Sequence, residues 1–470
     1  MESILTSEIL SWTKSKLIYG NLNSAILNFS TDSRTINKND FFIPIIGENY
    51  NGHDFIAETI KNGAKGFACR MDYKNKNDLI DFTRKNYPET LIVECSDTSD
   101  FFKDAAKGYL KKFKVVSVGI TGSAGKTTTK NFIVNILKKY GETVFSQKNF
   151  NNEIGIPKTI FEVKRNTKYL IAELGMRAKG QIRDLAEICN IKYGIITSIG
   201  PSHLEFFNSI DEIALSKAEI SEKIFKNNGV LFLNGDDKYT DLIEKNIKCA
   251  SAKCGIRSDF EYNFSNCSCD YNAVYDFDLN SCGKKIFHIK LNMPGYHNIY
   301  NAILAASLPL YLNIDPLIIK NAIEETSSES LRMEIIEKGN KVILNDCYNA
   351  NPLSMKSAID SLAVISKNRK LRSIAILGDM FELGNESVNM HEEIGEYLSD
   401  KGIDILVALG KNSINIFNKF IKPGGIETYS YHFKKKEQLL KEIGKIVKKG
   451  DAVLIKGSRA NKMENIIDYI

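Results

Sequence analysis

The chain has 470 residues, 43% hydrophobic and 26% charged, so it is globular and long enough to divide its core among several domains. Its 63 basic and 57 acidic residues leave a net charge of only +6, spread along the whole length, which speaks against a dedicated nucleic-acid binder and suits small anionic substrates. Nine cysteines, odd in number and irregularly spaced, fit the reduced thiols of a cytoplasmic protein better than a disulfide framework, and Cys249, Cys254, Cys267, Cys269 and Cys282 include no Cys-x-x-Cys pair of the kind a structural zinc uses.

Residues 1–17 carry Glu2 and Glu8 and lack the basic lead and apolar core of a signal peptide; Ile4, Leu5, Ile9, Leu10 and Trp12 predict an amphipathic helix instead. Strands over 40–46 and 90–93 and a helix over 55–62 make up a first block, 1–105. A second block, 106–313, opens on a Val-rich strand over 114–120 and continues through strands over 170–174, 194–199 and 230–234, with helical stretches between them. That alternation predicts a mainly parallel sheet covered on both faces. A third block, 314–470, starts near Ile314-Asp315-Pro316 and repeats the pattern over 341–344, 373–377, 405–409 and 452–456, as a doubly wound, Rossmann-like domain does. The expectation is an α/β protein of three domains. Its apolar runs are of strand length, so no stable membrane insertion is expected.

The sharpest chemistry lies in Thr121-Gly122-Ser123-Ala124-Gly125-Lys126-Thr127-Thr128, between the strand ending at Ile120 and a helix with Phe132, Ile133, Ile136, Leu137 and Tyr140 on one face. Glycines let backbone N–H groups approach phosphate oxygens, the helix N-terminus adds positive potential, Lys126 reaches the terminal phosphates and Thr127 can hold magnesium. Ile120 stands where the longer form of the motif has its first glycine, so this is the short Gly-x-x-Gly-Lys-Thr version of an ATP or GTP site. Asn37-Lys38-Asn39-Asp40 fits a guanine signature but precedes the loop instead of following it, and is read as accidental.

Phosphoryl transfer needs a metal beside the phosphates, held by an acid at the end of a neighbouring strand, and Glu173 is placed for that. His203, after the strand over 194–199, is expected at the same sheet edge. On local pattern Lys217 is a solvated helix lysine, and His297, Asn298 and Asn301 are groups that satisfy the helix running over 302–310.

Taken together, the loop, Asn151-Asn152-Glu153-Ile154-Gly155-Ile156-Pro157, Glu173-Leu174-Gly175, Ser202-His203-Leu204-Glu205, Ser216-Lys217-Ala218-Glu219-Ile220 and Gly295-Tyr296-His297-Asn298-Ile299-Tyr300-Asn301-Ala302 resemble the Mur ligase family in order and approximate spacing. Asp346-Cys347-Tyr348-Asn349-Ala350-Asn351-Pro352, Leu377-Gly378-Asp379-Met380-Phe381-Glu382-Leu383-Gly384 and Lys456-Gly457-Ser458-Arg459 resemble the branch that adds a dipeptide, whereas tripeptide-forming relatives carry Tyr-Ala-His-x-Pro at Tyr348. Asp32-Ser33-Arg34 and Gly47 with Asn51-Gly52-His53-Asp54-Phe55 resemble the region that binds a UDP-sugar.

The resemblance implies an N-terminal UDP-substrate domain, a central ATP-binding domain and a C-terminal domain that closes with the incoming amine. It implies a monomeric ligase joining D-alanyl-D-alanine to UDP-N-acetylmuramoyl-tripeptide through an acyl phosphate, with ATP and Mg2+. Lys126 is then catalytic; Thr127, Glu173, His203 and a carbamylated Lys217 hold one or two metal ions. His297, Asn298, Asn301, Arg332 and Asp346 lie around the nucleotide, and Ser33, Arg34, Asn151, Asn349 and Asn351 contact the other substrates. Three departures stand out: Ser123-Ala124 replaces Thr-Asn, Met176-Arg177-Ala178 replaces a stretch often written Ala-Asn-His, and Leu331 stands where glycine usually precedes the arginine, which leaves the local backbone open.

Overall fold

The computed structural model describes residues 1–147, 149–420 and 429–470. Three large sheets follow one another along the chain. The first runs Ser15–Tyr19, Leu91–Cys95, Gly66–Arg70, Phe41–Phe42, Phe29–Ser30, parallel except at its first pairing. The strand expected over 40–46 is reduced to Phe41–Phe42, because Pro44 has no N–H to give a ladder. The amphipathic helix is likewise confined to Thr6–Trp12: Ile4 and Leu5 pair with Ile26 and Ala25 as a short strand, burying Ile4 to 1% exposure.

The central sheet orders its strands Lys284–Pro294, Val274–Ser281, Tyr262–Cys269, Ala250–Gly255, Val230–Asn234, Tyr193–Ile196, Val116–Thr121, Tyr169–Glu173, Thr143–Phe145. All are parallel except the two pairings along 262–294, an antiparallel extension absent from the sequence reading. Register places Glu173 beside Ile120 and Ile196 beside Thr121, so three strands end together at one carboxyl edge. Continuous Val, Ile and Leu runs bury both faces of these strands, as a parallel sheet requires. The helical run after His203 divides at Glu219 into Ile210–Ala218 and Ile220–Lys226; the Glu219 carboxylate turns away to accept from the Gly180 amide at 2.9 and 3.0 Å.

Helix Pro316–Glu325 buries Ile319, Ala322 and Ile323 in the core of the central sheet. The last sheet runs Glu334–Lys338, Lys341–Asp346, Asp451–Lys456, Arg372–Gly378, Ile405–Leu409, Tyr429–Phe433, parallel after its first antiparallel pair. No helix among the described residues is long and apolar enough to cross a membrane.

Candidate active site

The carboxyl edge of the central sheet opens into a cleft of about 770 Å3, closed from the opposite side by the C-terminal block. Its floor is the phosphate loop. Gly125 has φ +82°, and a Cβ there would stand 2.3 Å from Asn301 Oδ1, so both backbone and space demand glycine. Helix Lys126–Lys138 starts at once, and Lys126 Nζ donates back to the Gly122 carbonyl at 2.7 Å. The side chain of Ser123 is bonded to Gly200 and Ser202, which ties the loop to the strand end beside it.

Thr127 Oγ1 donates to Glu173 Oε2 at 2.9 Å, and Glu173 is buried to 5% exposure. Adjacent ligands of an octahedral Mg2+, each about 2.0–2.1 Å from the ion, stand about 2.9 Å apart, so this pair of oxygens fits such an ion. Lys217 lines the same cleft at 2% exposure. Among the described residues no carboxylate offsets its charge; burial, reinforced by Lys126, holds its amine well below the ordinary lysine range. A buried amine whose proton is held this loosely, in the cleft that also holds Thr127 and Glu173, suits the chemistry of a carbamate ligand. Burial also lowers Lys126, with Glu173 opposing and Arg332 reinforcing.

His203 reaches the cleft from a left-handed backbone, φ +58°, and its Nδ1 lies 2.6 Å from Glu382 Oε2 of the C-terminal block. That oxygen sits off the ring N–H axis, so the two groups touch without a formed hydrogen bond. Glu382 is held below the usual carboxylate range by His203, against partial burial, with Arg177 helping. Thr127, Glu173, His203 and Lys217 therefore share one cleft, while among the described residues no group of three or more His, Cys, Asp and Glu gathers as a self-contained metal cage.

His297, Asn298 and Asn301 line the cleft from the first turns of helix His297–Tyr311. Burial takes His297 down to about 4, so the imidazole is neutral. The two amides are engaged with one another: Asn301 Nδ2 donates to Asn298 Oδ1 at 2.9 Å, Asn298 Nδ2 to the Pro294 carbonyl at 2.7 Å.

From the C-terminal block, Asn351 caps helix Pro352–Arg369 and donates its Nδ2 to the Ser123 carbonyl at 3.1 Å, joining that block to the phosphate loop. Tyr348 bonds Asn149, and Arg332 stacks on the Tyr348 ring at 3.7 Å. Asp346 Oδ2 pairs with Lys456 Nζ at 2.5 Å, its other oxygen accepting from the Met333 amide. Asn151 and Asn349 complete the walls. Leu331 keeps the left-handed φ, +67°, that glycine would adopt without cost, so the backbone before Arg332 is retained under strain.

Sequence reasoning missed Lys456, Tyr348, Arg177 and Glu382 as groups of the cleft. Each was visible only inside a motif, and what gives them a place is the approach of two blocks remote in sequence.

Ser33 and Arg34 do not line this cleft. Arg34 is 85% exposed and chelates Asp32 through two hydrogen bonds of 2.9 and 2.7 Å, holding that carboxyl at about 2. His53 is structural: Nδ1 donates to Asn51 Oδ1 at 2.9 Å and Nε2 accepts from the Arg70 amide. Asp40 of the guanine-like signature accepts from Asn28 and the Asn37 amide, which makes the segment a turn.

Against known proteins, a model of the Mur ligase middle domain matches residues 120–308, and one of the Mur ligase glutamate ligase domain matches 331–459. The UDP-N-acetylmuramoyl-tripeptide–D-alanyl-D-alanine ligase of Bacillus subtilis (strain 168) is 30% identical over 450 residues, 94% of this chain and 93% of that protein. Among solved structures, MurF from Acinetobacter baumannii superposes with a TM-score of 0.89 at 24% identity over 100% of this chain and 98% of that one. MurF ligase from Thermotoga maritima, in complex with ADP, gives 0.80 at 24% identity over 94% and 97%. At those identities the two structures speak for the fold.

Proposed function

This chain belongs to the Mur ligase family, and from that membership we infer that it joins D-alanyl-D-alanine to UDP-N-acetylmuramoyl-tripeptide, converting ATP to ADP and phosphate. A carboxylate will not condense with an amine in water, because its carbonyl is electron-rich and hydroxide leaves poorly. The γ-phosphoryl group of ATP first turns the tripeptide's terminal carboxylate into an acyl phosphate. The dipeptide amine then attacks the carbonyl, a tetrahedral intermediate collapses, phosphate leaves and the pentapeptide results.

The observation that carries a ligase reading over a nucleotide switch is that the C-terminal block reaches the phosphate loop itself through Asn351 on Ser123, and the neighbouring cleft wall through Tyr348 on Asn149. A cleft closed this way keeps water from the acyl phosphate. Lys126 neutralises charge on the transferring group once its contact with the Gly122 carbonyl is given up. Thr127, Glu173, His203 and Lys217, the last as its carbamate, are the residues that would hold Mg2+, which supplies charge neutralisation to the phosphates. His297 and Arg332 are assigned to the nucleotide, Asn349 and Asn351 to the amine side, and Asn151 to the tripeptide side.

We assign residues 1–105 to the UDP-sugar, around Ser33 and Arg34. Lys158, which helps to lower Asp32, lies on the helix Gly155–Phe161 that follows the cleft wall at Asn151 and Asn152, so a long substrate can run from one to the other. The nine cysteines are free thiols, which suits the cytoplasm.

The deciding experiment measures phosphate release from ATP with UDP-N-acetylmuramoyl-tripeptide, with and without D-alanyl-D-alanine, and the product mass. Release that needs both and yields the pentapeptide is expected. Release needing neither would restore the switch, and release supported by a single amino acid with the dipeptide precursor would point to a sister ligase.

A further inference from the structure

His203 and Glu382 come from blocks far apart in sequence, and both hold left-handed backbones, φ +58° and +61°, that non-glycine residues seldom adopt. They meet each other, Nδ1 to Oε2 at 2.6 Å. The same carboxylate reaches Arg177 Nη2 through Oε1 at 3.5 Å, and the Glu382 carbonyl accepts from the Glu205 amide at 3.3 Å. Gly384, φ +55°, lets the C-terminal strand-end loop come so near that a Cβ there would stand 3.2 Å from Glu205 Cα. Strain of this kind persists only where its surroundings over-determine it, and here it is concentrated on one carboxylate–imidazole contact.

We propose that Glu382 is a positioning residue: on docking, the C-terminal block brings its carboxylate to His203 Nδ1 and fixes the ring with Nε2 free to bind metal. The inference rests on the reading of His203 as a metal ligand. Buried Nδ1 has no formed hydrogen bond among the described residues and the Glu382 carboxylate stands against it, so a small ring rotation converts the present off-axis contact into an N–H donated to the carboxylate. A carboxylate behind a ligating histidine orients the ring and raises its basicity, and loss of such a partner commonly weakens metal binding about 10- to 100-fold. Because Glu382 travels with the C-terminal block, metal affinity and closure become reciprocal: whatever closes the cleft tightens the metal, and the metal favours closure to the same degree. Arg177 holds the other oxygen of the carboxylate from the cleft rim, so it steadies the contact without touching the imidazole.

The test is Mn2+ binding, followed by the electron-paramagnetic resonance of the free ion, to wild type, Glu382→Gln, Glu382→Asp and Arg177→Ala in the presence of ADP, with ADP alone as blank. Glu382→Gln should bind at least about tenfold more weakly, Glu382→Asp in between, and Arg177→Ala within about threefold of wild type. Glu382→Gln within twofold of wild type would overturn the proposal. So would an Arg177→Ala as weak as Glu382→Gln, because the carboxylate would then act only as a latch between blocks. Substrate dependence of phosphate release by wild type is read separately, so failure of the ligase reading leaves the Mn2+ comparison distinguishable.

Discussion

Lys217 gives the most demanding test of the metal site. At about pH 7.5 a lysine of ordinary pKa is neutral in about one molecule in a thousand, and each unit of downward shift multiplies that fraction tenfold, equivalent to about 1.4 kcal/mol. Lys217 is 2% exposed beside the Lys126 ammonium, and both effects push it down. Only the neutral amine adds to carbon dioxide, so burial raises the reactive fraction, and the resulting carbamate would be an anion placed opposite Lys126. Without carbon dioxide the sign of the pH dependence is fixed. Between the lowered folded value and the ordinary lysine value, the unfolded chain binds a proton that the native chain does not. Wild type therefore gains about 1.4 kcal/mol per pH unit over Lys217→Met as pH rises through that window, and loses it as pH falls. The assay is carbon NMR on protein equilibrated with carbon-13 bicarbonate, with Lys217→Met as blank, alongside turnover in buffer stripped of carbon dioxide. A carbamate resonance absent from the variant, and turnover that falls at least about tenfold on stripping and returns with bicarbonate, are expected if the carbamate helps to hold the metal. No resonance, together with turnover indifferent to carbon dioxide, would refute the reasoning.

Gly125→Ala should weaken ADP binding at least about tenfold in an equilibrium titration, since its Cβ meets Asn301 Oδ1 at 2.3 Å on a φ of +82°. Asp379 accepts from the amides of Lys411, Asn412 and Ser413, so Asp379→Ala should cost about 3 kcal/mol in denaturant unfolding and open residues 410–413 to hydrogen exchange; protection equal to wild type would contradict this. His297, held at about 4, binds its proton more readily when unfolded. Between the ordinary histidine value and about 4, falling pH should therefore cost wild type up to about 3 kcal/mol relative to His297→Gln in thermal unfolding.

How far the sequence foretold this molecule depends on whether a signal was local. Strands 230–234 and 405–409 match what is observed, because a continuous apolar run between turns has one parallel-sheet solution. The phosphate loop was legible for the same reason: its glycines, lysine and threonine act within a few residues of one another. Strand 40–46 was overestimated because the apolar run was read through Pro44, which has no N–H to continue the ladder beyond Phe41–Phe42. Lys217 was unreadable locally, since nothing within its helix announces that it is buried in the cleft. Lys456 and Glu382 could be seen only as members of motifs, their partners Asp346 and His203 lying far away along the chain.

The distribution of backbone strain carries the argument one step beyond individual contacts. Left-handed asparagines such as Asn39, Asn190 and Asn340 occupy turns, where that residue tolerates the conformation. Several of the other non-glycine exceptions lie where the blocks meet. His203 and Glu382 face each other across the cleft, and Leu331 and Met333 flank Arg332 where the chain passes into the last sheet. Ala273 and Lys370 sit next to Asn272 and Arg369, which bond each other at a second contact between the central and C-terminal blocks. Each such residue costs about 1–2 kcal/mol, and glycine at any of them would relieve it. Strain at a joint subtracts from the free energy gained by docking, so a ligand that contacts both blocks across the cleft favours the closed arrangement by as much as it binds that arrangement more tightly.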